Sequence, residues 1–347
     1  MAIGLDQSPG TARWRLLLMS EKEEIAWSQK RFEDLLEAEA PLILPEADER
    51  VQVLKRVCDR LVAAMEAEGF VCAAIWPRDN AEVVERIRRF EARTSIRPSA
   101  RTQNSLLPFR PESSNPTKII DNRDWDLFVV DMPRVNAFVL PTKEIFVYSG
   151  LLDLLEKEEP LIAAVIAHEI IHVSERHAVE NMGFLALSSV IFDILRGITF
   201  AVTISFPFVT DTLGTLFNMM NGVVAERAYS RKLESEADTL GLMLMAKAGY
   251  NPESALELWG LLNMLENDAR DNHSILLERV LPFLRTHPQG EARLDNIRDH
   301  LPEAMRIYGE SQKPTKAQQI VASLVNVPDK DEITEIANVQ KDPHLFP

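Results

Sequence analysis

Cysteine is nearly absent from this chain. Cys58 and Cys72 are the two thiols among 347 residues, and they form neither a C-x-x-C pair nor a disulfide framework. Both read as buried thiols rather than ligands. Positive charge is also scarce: 38 Lys and Arg stand against 53 Asp and Glu, a formal charge of −15. So acidic a chain repels phosphate backbones and anionic headgroups, which argues against general nucleic-acid binding and electrostatic docking on lipid. The opening MAIGLDQSPGTARWRLLLM lacks a basic leader and has too short an apolar run for a secretory signal, and it does not read as a transit peptide. No stretch offers the ~18 uncharged apolar residues of a membrane span.

Residues 181–225 come nearest. Asp193, Arg196 and Asp211 cut them into uncharged pieces of 12 to 14 residues, and Pro207 interrupts the middle piece. The expectation is a buried helical hairpin, the alternative a hairpin that dips into a membrane interface as a peripheral contact.

What is present centres on residues 160–182, PLIAAVIAHEIIHVSERHAVENM. Pro160 suits a first helical position, Glu158 and Glu159 suit the positive end of a helix dipole, and an unbroken apolar run follows. On that helix His168 and His172 lie one turn apart on one face, and Glu169 is rotated to the side. This is the HExxH zinc pattern. Two neutral imidazoles can hold zinc with a coordination position open, which lowers the pKa of a bound water to about 7. A carboxylate beside that water can take its proton. Five residues with three fixed positions also arise by chance, so the weight comes from the rest of the chain.

Residues 222–248 have helical periodicity and stop at Gly249. Glu234 and Asp238 share a face there. One carboxylate can be a third zinc ligand while the other accepts a hydrogen bond from the free nitrogen of a ligating histidine. The metzincin pattern HExxHxxGxxH fails, because Glu175 and Ala178 occupy its glycine and third-histidine positions. His177 is expected on the far side of the helix, away from the metal.

Elsewhere, helices are expected over 20–39, with Ser20 and Glu23 forming a capping box, and over about 47–68. The run Arg86, Arg88, Arg89, Arg93, Arg97 and Arg101 reads as a solvated helix face, and LLPFRPESSNPTK after it as a long loop. WDLFVVD (125–131), RVNAFVL (134–140) and EIFVYS (144–149) read as a small antiparallel sheet. An edge strand beside the site, with Asn136, Ala137 and Phe138, can pair with an extended peptide and lay its scissile bond across the metal, though an ordinary hairpin fits the pattern equally well. Helices follow Asn251-Pro252 and include ARLDNIRDHL. Between them stand His287 and Arg293, which can stabilise an oxyanion if they face the metal. The tail beyond Gln312 is polar and charged.

NAFVLPTKEIFVYSGLL, HEIIHVSERHAVE, ESEADTLGLMLMAKAGYNPESA and THPQGEARLDNI resemble, in order and spacing, the HtpX and CAAX-protease family of zinc metalloendopeptidases, and within it the mitochondrial inner-membrane peptidases of the Oma type. The resemblance covers about residues 45–305. It implies a mainly α fold with a small antiparallel sheet, of gluzincin type, with a metallopeptidase domain at 46–310 between an N-terminal helical extension (1–45) and a tail (311–347). It also implies one zinc ion per chain. Carried over, His168, His172 and Glu234 match the zinc ligands, Glu169 the general base, and Asp238 the carboxylate behind a ligand. His287 matches a histidine that approaches the metal and gates the site, and Arg293 the arginine that follows it. The implied substrates are polypeptides, misfolded or membrane proteins, with self-association left open. The implied location is the inner membrane facing the intermembrane space; the departures, no membrane span and no transit peptide, leave three readings open: an incomplete N-terminus, peripheral attachment through residues 181–225, or a soluble protein. Pro141-Thr142-Lys143 also replaces the glycine-rich turn of relatives. A rival reading is a zinc-stabilised, autoinhibited binding module without turnover, its open position filled by His287.

Overall fold

The computed structural model describes residues 4–8, 10–66, 73–77, 124–203, 226–272, 283, 287 and 291–313. The arginine run, the loop after it, the second half of the apolar hairpin and most of the tail lie outside the described residues. The chain divides into two units, 1–308 and 309–347.

Strands β1 (Gly4–Gln7) and β2 (Trp14–Leu17) form an antiparallel hairpin that precedes α1 (Glu21–Glu39). Helix α1 starts as its sequence dictates. The Ser20 hydroxyl accepts from the Glu23 N–H while the Glu23 carboxylate accepts from the Ser20 N–H, satisfying two donors that a helix start leaves open. Helix α2 (Glu49–Glu66) is amphipathic, with Val51, Leu54, Val57, Cys58 and Leu61 facing the core.

The principal sheet runs β3 (Ala73–Pro77), β4 (Asp124–Val130), β6 (Glu144–Tyr148) and β5 (Ala137–Val139), in that spatial order. Sequential antiparallel pairing was the expectation, but only β5 and β6 pair that way; β4 lies parallel to both β3 and β6. The reason lies in β6, which is buried along its whole length and so belongs at the centre. The half-buried β5 shrinks to three residues and takes the edge. Lys143, at φ 75°, closes the turn between them in a left-handed conformation that glycine adopts more readily.

Each face of the sheet has its own cover. Trp125, Leu127, Val129, Ile145 and Val147 face a core shared with α2 and residues 161–171, while Phe128, Val130, Phe146 and Tyr148 pack with Phe32 and Leu35 of α1. Cys58 is fully enclosed, and burial pushes its thiol pKa up. Cys72 lies outside the described residues.

A short helix α3 (Ser149–Leu154) leads to α4 (Glu159–Ser174), which carries HExxH and is buried from Leu161 to Ile171. The expected helix through residue 182 is broken. Arg176 takes φ 53° and forms a buried ion pair with Glu24, and α5 (His177–Thr203) sets off in a new direction. Ser8 and the Gly10 N–H donate to the Glu175 carboxylate, so the N-terminal hairpin holds this corner.

Helix α5 overturns two expectations. By length and composition it is apolar enough to cross a membrane, even with the charged pair Asp193 and Arg196 inside the stretch. Nor is it buried: Val190, Ile194, Ile198 and Phe200 are each more than half exposed.

Helix α6 (Glu226–Lys247) lies against α4 and ends in a reverse-turn cap, with Tyr250 N–H donating to the Met245 carbonyl and Gly249 at φ 78°. Helices α7 (Glu253–Asn272) and α8 (Glu291–Ser311) complete the described fold. It is mainly helical with small sheets, as the sequence implies.

Candidate metal centre

Two helices bring the site together. On α4, His168 and Glu169 are buried and His172 sits one turn on; on α6, Glu234 and Asp238 face them. The α6 stripe Glu234, Asp238, Gly241 and Met245 repeats at helical spacing, and its glycine lets the two backbones approach. His287 is buried against the same centre, its ring 5.0 Å from that of His168.

The donor atoms fit a metal. His168 Nε2 is 3.0 Å from His172 Nε2, 3.3 Å from Glu234 Oε2 and 3.2 Å from His287 Nδ1. Glu234 lies 3.4 Å from His172 Nε2 and 3.1 Å from His287 Nδ1. A tetrahedral ion with bonds of about 2.0–2.1 Å needs ligand atoms about 3.3–3.4 Å apart. These four residues form a group able to hold a metal ion.

Burial raises the Glu234 carboxyl pKa, but His287 and His172 outweigh it and hold the group well below its ordinary value. Burial drives His172 well below the ordinary histidine value, which leaves a neutral imidazole with a lone pair to give. Burial likewise lowers His287, yet the carboxylates of Glu169 and Glu234 prevail and raise it to about 10.

Behind these donors lies a further layer. His168 Nδ1 is 3.0 Å from Asp238 Oδ1, the carboxylate placement that fixes a ligating ring. Arg293 grips Asp238 with Nε at 2.8 Å and Nη2 at 2.6 Å, approaches Glu234 at 3.3 Å, and stacks over Trp259. Glu169 Oε1 lies 3.1 Å from His287 Nε2, without the alignment of a hydrogen bond. Asn136, Ala137 and Phe138 lie at or on β5, the edge strand of its sheet, which packs against α4. Ala137 is buried, and Phe138 stacks on Phe146 at 5.3 Å.

A model of peptidase family M48 matches residues 114–301, more than half of the chain. The chain belongs to peptidase family M48. The curated M48 relatives it resembles include the mitochondrial metalloendopeptidase OMA1 of Schizosaccharomyces pombe, 34% identical over 52% of this chain and 48% of the relative. Those of Saccharomyces cerevisiae (30%; 56% and 52%) and Arabidopsis thaliana (33%; 56% and 36%) bear the same name. The chain thus spans about a third to a half of these relatives' length.

Sequence reasoning misplaced one residue beside this candidate site. His177 does not point away: the break at Arg176 turns it back, so that its Nδ1 lies 3.0 Å from His172 Nδ1 and its Nε2 3.3 Å from Glu236 Oε2. A regular helix assumed through the corner hid this contact. Glu236 was missed altogether, as was its contact with Arg13, 2.7 Å away. Burial raises the Glu236 carboxyl, but His177, Arg13 and Thr11 together hold it far below the ordinary range. No local pattern marks a residue whose partners are 59 and 223 positions distant.

Proposed function

We propose that this chain is a zinc-dependent endopeptidase in which His168, His172 and Glu234 hold one zinc ion and Glu169 is the general base. The observation that carries the reading is the set of donor atoms 3.0–3.4 Å apart with Glu169 beside them. A zinc ion held there would supply a Lewis acid for the peptide carbonyl and bring the pKa of a water towards neutrality. Glu169 would take a proton from the attacking water and deliver it to the amine released as the peptide C–N bond breaks. Asp238 orients His168, and Arg293 keeps Asp238 and Glu234 in place rather than meeting substrate itself.

His287 occupies the fourth corner and faces Glu169, the arrangement of a closed resting site. Turnover requires it to withdraw, after which its ring is placed to stabilise the oxyanion. The rival reading, a binding module without turnover, is disfavoured because the base the reaction needs is retained beside the donors.

The substrates are extended or unfolded polypeptides that add a strand to the edge of β5, at Asn136, Ala137 and Phe138. Exposed, apolar α5 supports a membrane contact, hence membrane-associated substrates and a role in protein quality control. The relatives' names support a mitochondrial setting.

The deciding experiment is cleavage of a loosely folded protein by wild type and Glu169→Gln, with zinc measured in both. The expected outcome is about one zinc in each and a loss of turnover of about 10²-fold or more in the variant. Undiminished cleavage by Glu169→Gln would remove the assigned base, and wild type without zinc would remove the metal.

A further inference from the structure

The N-terminal hairpin lies outside the family-matched residues 114–301, yet its side chains reach the metal centre. Arg13 projects from the hairpin loop between two buried carboxylates. Its Nη1 and Nη2 donate to Glu180 at 2.5 and 2.8 Å, and Nη2 also donates to Glu236 at 2.7 Å. Thr11 donates to the other oxygen of Glu236, and Tyr229 donates to Glu180. Glu236 is therefore fixed from the hairpin side, with Oε2 turned to His177.

Proton placement then follows one direction. With His172 Nε2 given to a metal, its Nδ1 must carry the proton, because a neutral imidazole has one N–H. Among the described residues that N–H has one acceptor at hydrogen-bond distance, His177 Nδ1 at 3.0 Å. A His177 that accepts at Nδ1 holds its own proton at Nε2, where Glu236 accepts it at 3.3 Å. Each member is satisfied in one tautomer only, and both rings are fixed in rotation. Glu236 and His177 stand to His172 as Asp238 stands to His168.

We infer that the N-terminal hairpin is a working part of the metal centre: Arg13 holds Glu236, Glu236 holds His177, and His177 positions His172 as a metal ligand. His177, Glu236 and Arg13 are positioning residues, since none of them touches the metal or the substrate. The inference rests on the zinc reading above and extends it to a segment that carries no family motif.

The test is zinc affinity of the full chain, measured by competition with a chromogenic chelator, in wild type, Glu236→Leu, Glu236→Gln and Arg13→Met. Loss of the acceptor in Glu236→Leu is expected to weaken zinc binding about 10- to 100-fold. Glu236→Gln keeps an oxygen for the His177 N–H and is expected to recover most of that loss. Arg13→Met, at a partly exposed position, is expected to fall between them. Nitrogen-15 spectra of the zinc-loaded wild type should show the His172 ring protonated at Nδ1 and the His177 ring at Nε2. A merely structural role would move the melting temperature of the metal-free protein but leave those tautomers and the Gln rescue unexplained. Should Glu236→Leu fail to fold, the affinities of Glu236→Gln and Arg13→Met relative to wild type decide the matter. Equal zinc affinity in wild type and every folded variant overturns the inference while leaving the zinc site intact. A wild type that binds no zinc overturns both.

Discussion

Gly241 of α6 lies directly against the backbone of His168: a Cβ on the glycine would stand 3.2 Å from both the Cα and the N of the histidine. Glycine inside a helix ordinarily costs about 1 kcal/mol relative to alanine. Here the close approach outweighs propensity, because the atoms in the way are backbone and cannot rotate aside. Gly241→Ala is expected to destabilise the fold by about 1–3 kcal/mol, and to weaken metal binding by moving Glu234 and Asp238 away from α4. Thermal unfolding with and without zinc measures both effects; an alanine variant at least as stable as wild type would refute the packing argument.

Asp238 and Arg293 should behave as one unit. Both are buried and joined by two hydrogen bonds, with burial raising the Asp238 carboxyl and Arg293 together with His168 more than compensating. Removing either partner leaves an uncompensated buried charge, at a cost of about 3–5 kcal/mol. Asp238→Ala and Arg293→Ala are each expected to lose that much stability, and the double variant much less than their sum. Denaturant unfolding of the three proteins gives the coupling directly, and additive losses would mean that the pair does not act together.

His287 is expected to limit access to the metal. His287→Ala opens the fourth corner, so a small hydroxamate should bind about tenfold more tightly, since it no longer competes with an imidazole at that position. Calorimetry on the zinc-loaded proteins checks this. Unchanged hydroxamate affinity would show that the ring stands aside in solution.

Glu175 carries a pH signature of its own. Burial raises its pKa above the ordinary 4.5, with Ser8 and Arg15 opposing the shift incompletely. Between 4.5 and the raised value the native state holds a proton that the unfolded chain has released, so this residue's contribution to stability falls as pH rises through that window. Glu175→Gln has no such loss. Its stability relative to wild type should therefore improve as pH is raised from about 4 to 7, as followed by urea unfolding, and a flat difference would show that Glu175 is not shifted.

The candidate metal centre was legible because its residues obey local periodicity. His168 and His172 on one helix, and Glu234 and Asp238 on another, are each pairs at i and i+4, and Ser20 with Glu23 announces α1 in the same way. The sheet was half legible: the strands were visible in their β-branched and aromatic runs, but their order depends on which strand tolerates burial on both faces. That is a tertiary property of β6, not a feature of its turn. The corner at Arg176 was hidden for a related reason. Its left-handed backbone is held by Glu24, Ser8, Gly10 and Arg15, all far away in sequence, and no glycine or proline marks it. From that one hidden corner followed the misplaced His177.

The enclosure of Cys58 also gives the molecule a clock. Its sulfur is sealed beneath α2, and burial suppresses the thiolate that reagents attack, so nothing short of opening the main core exposes it. The time course of Cys58 modification therefore counts the openings of the scaffold beneath α4. With zinc added, the same time course reads how far a metal at the candidate site slows the opening of the whole.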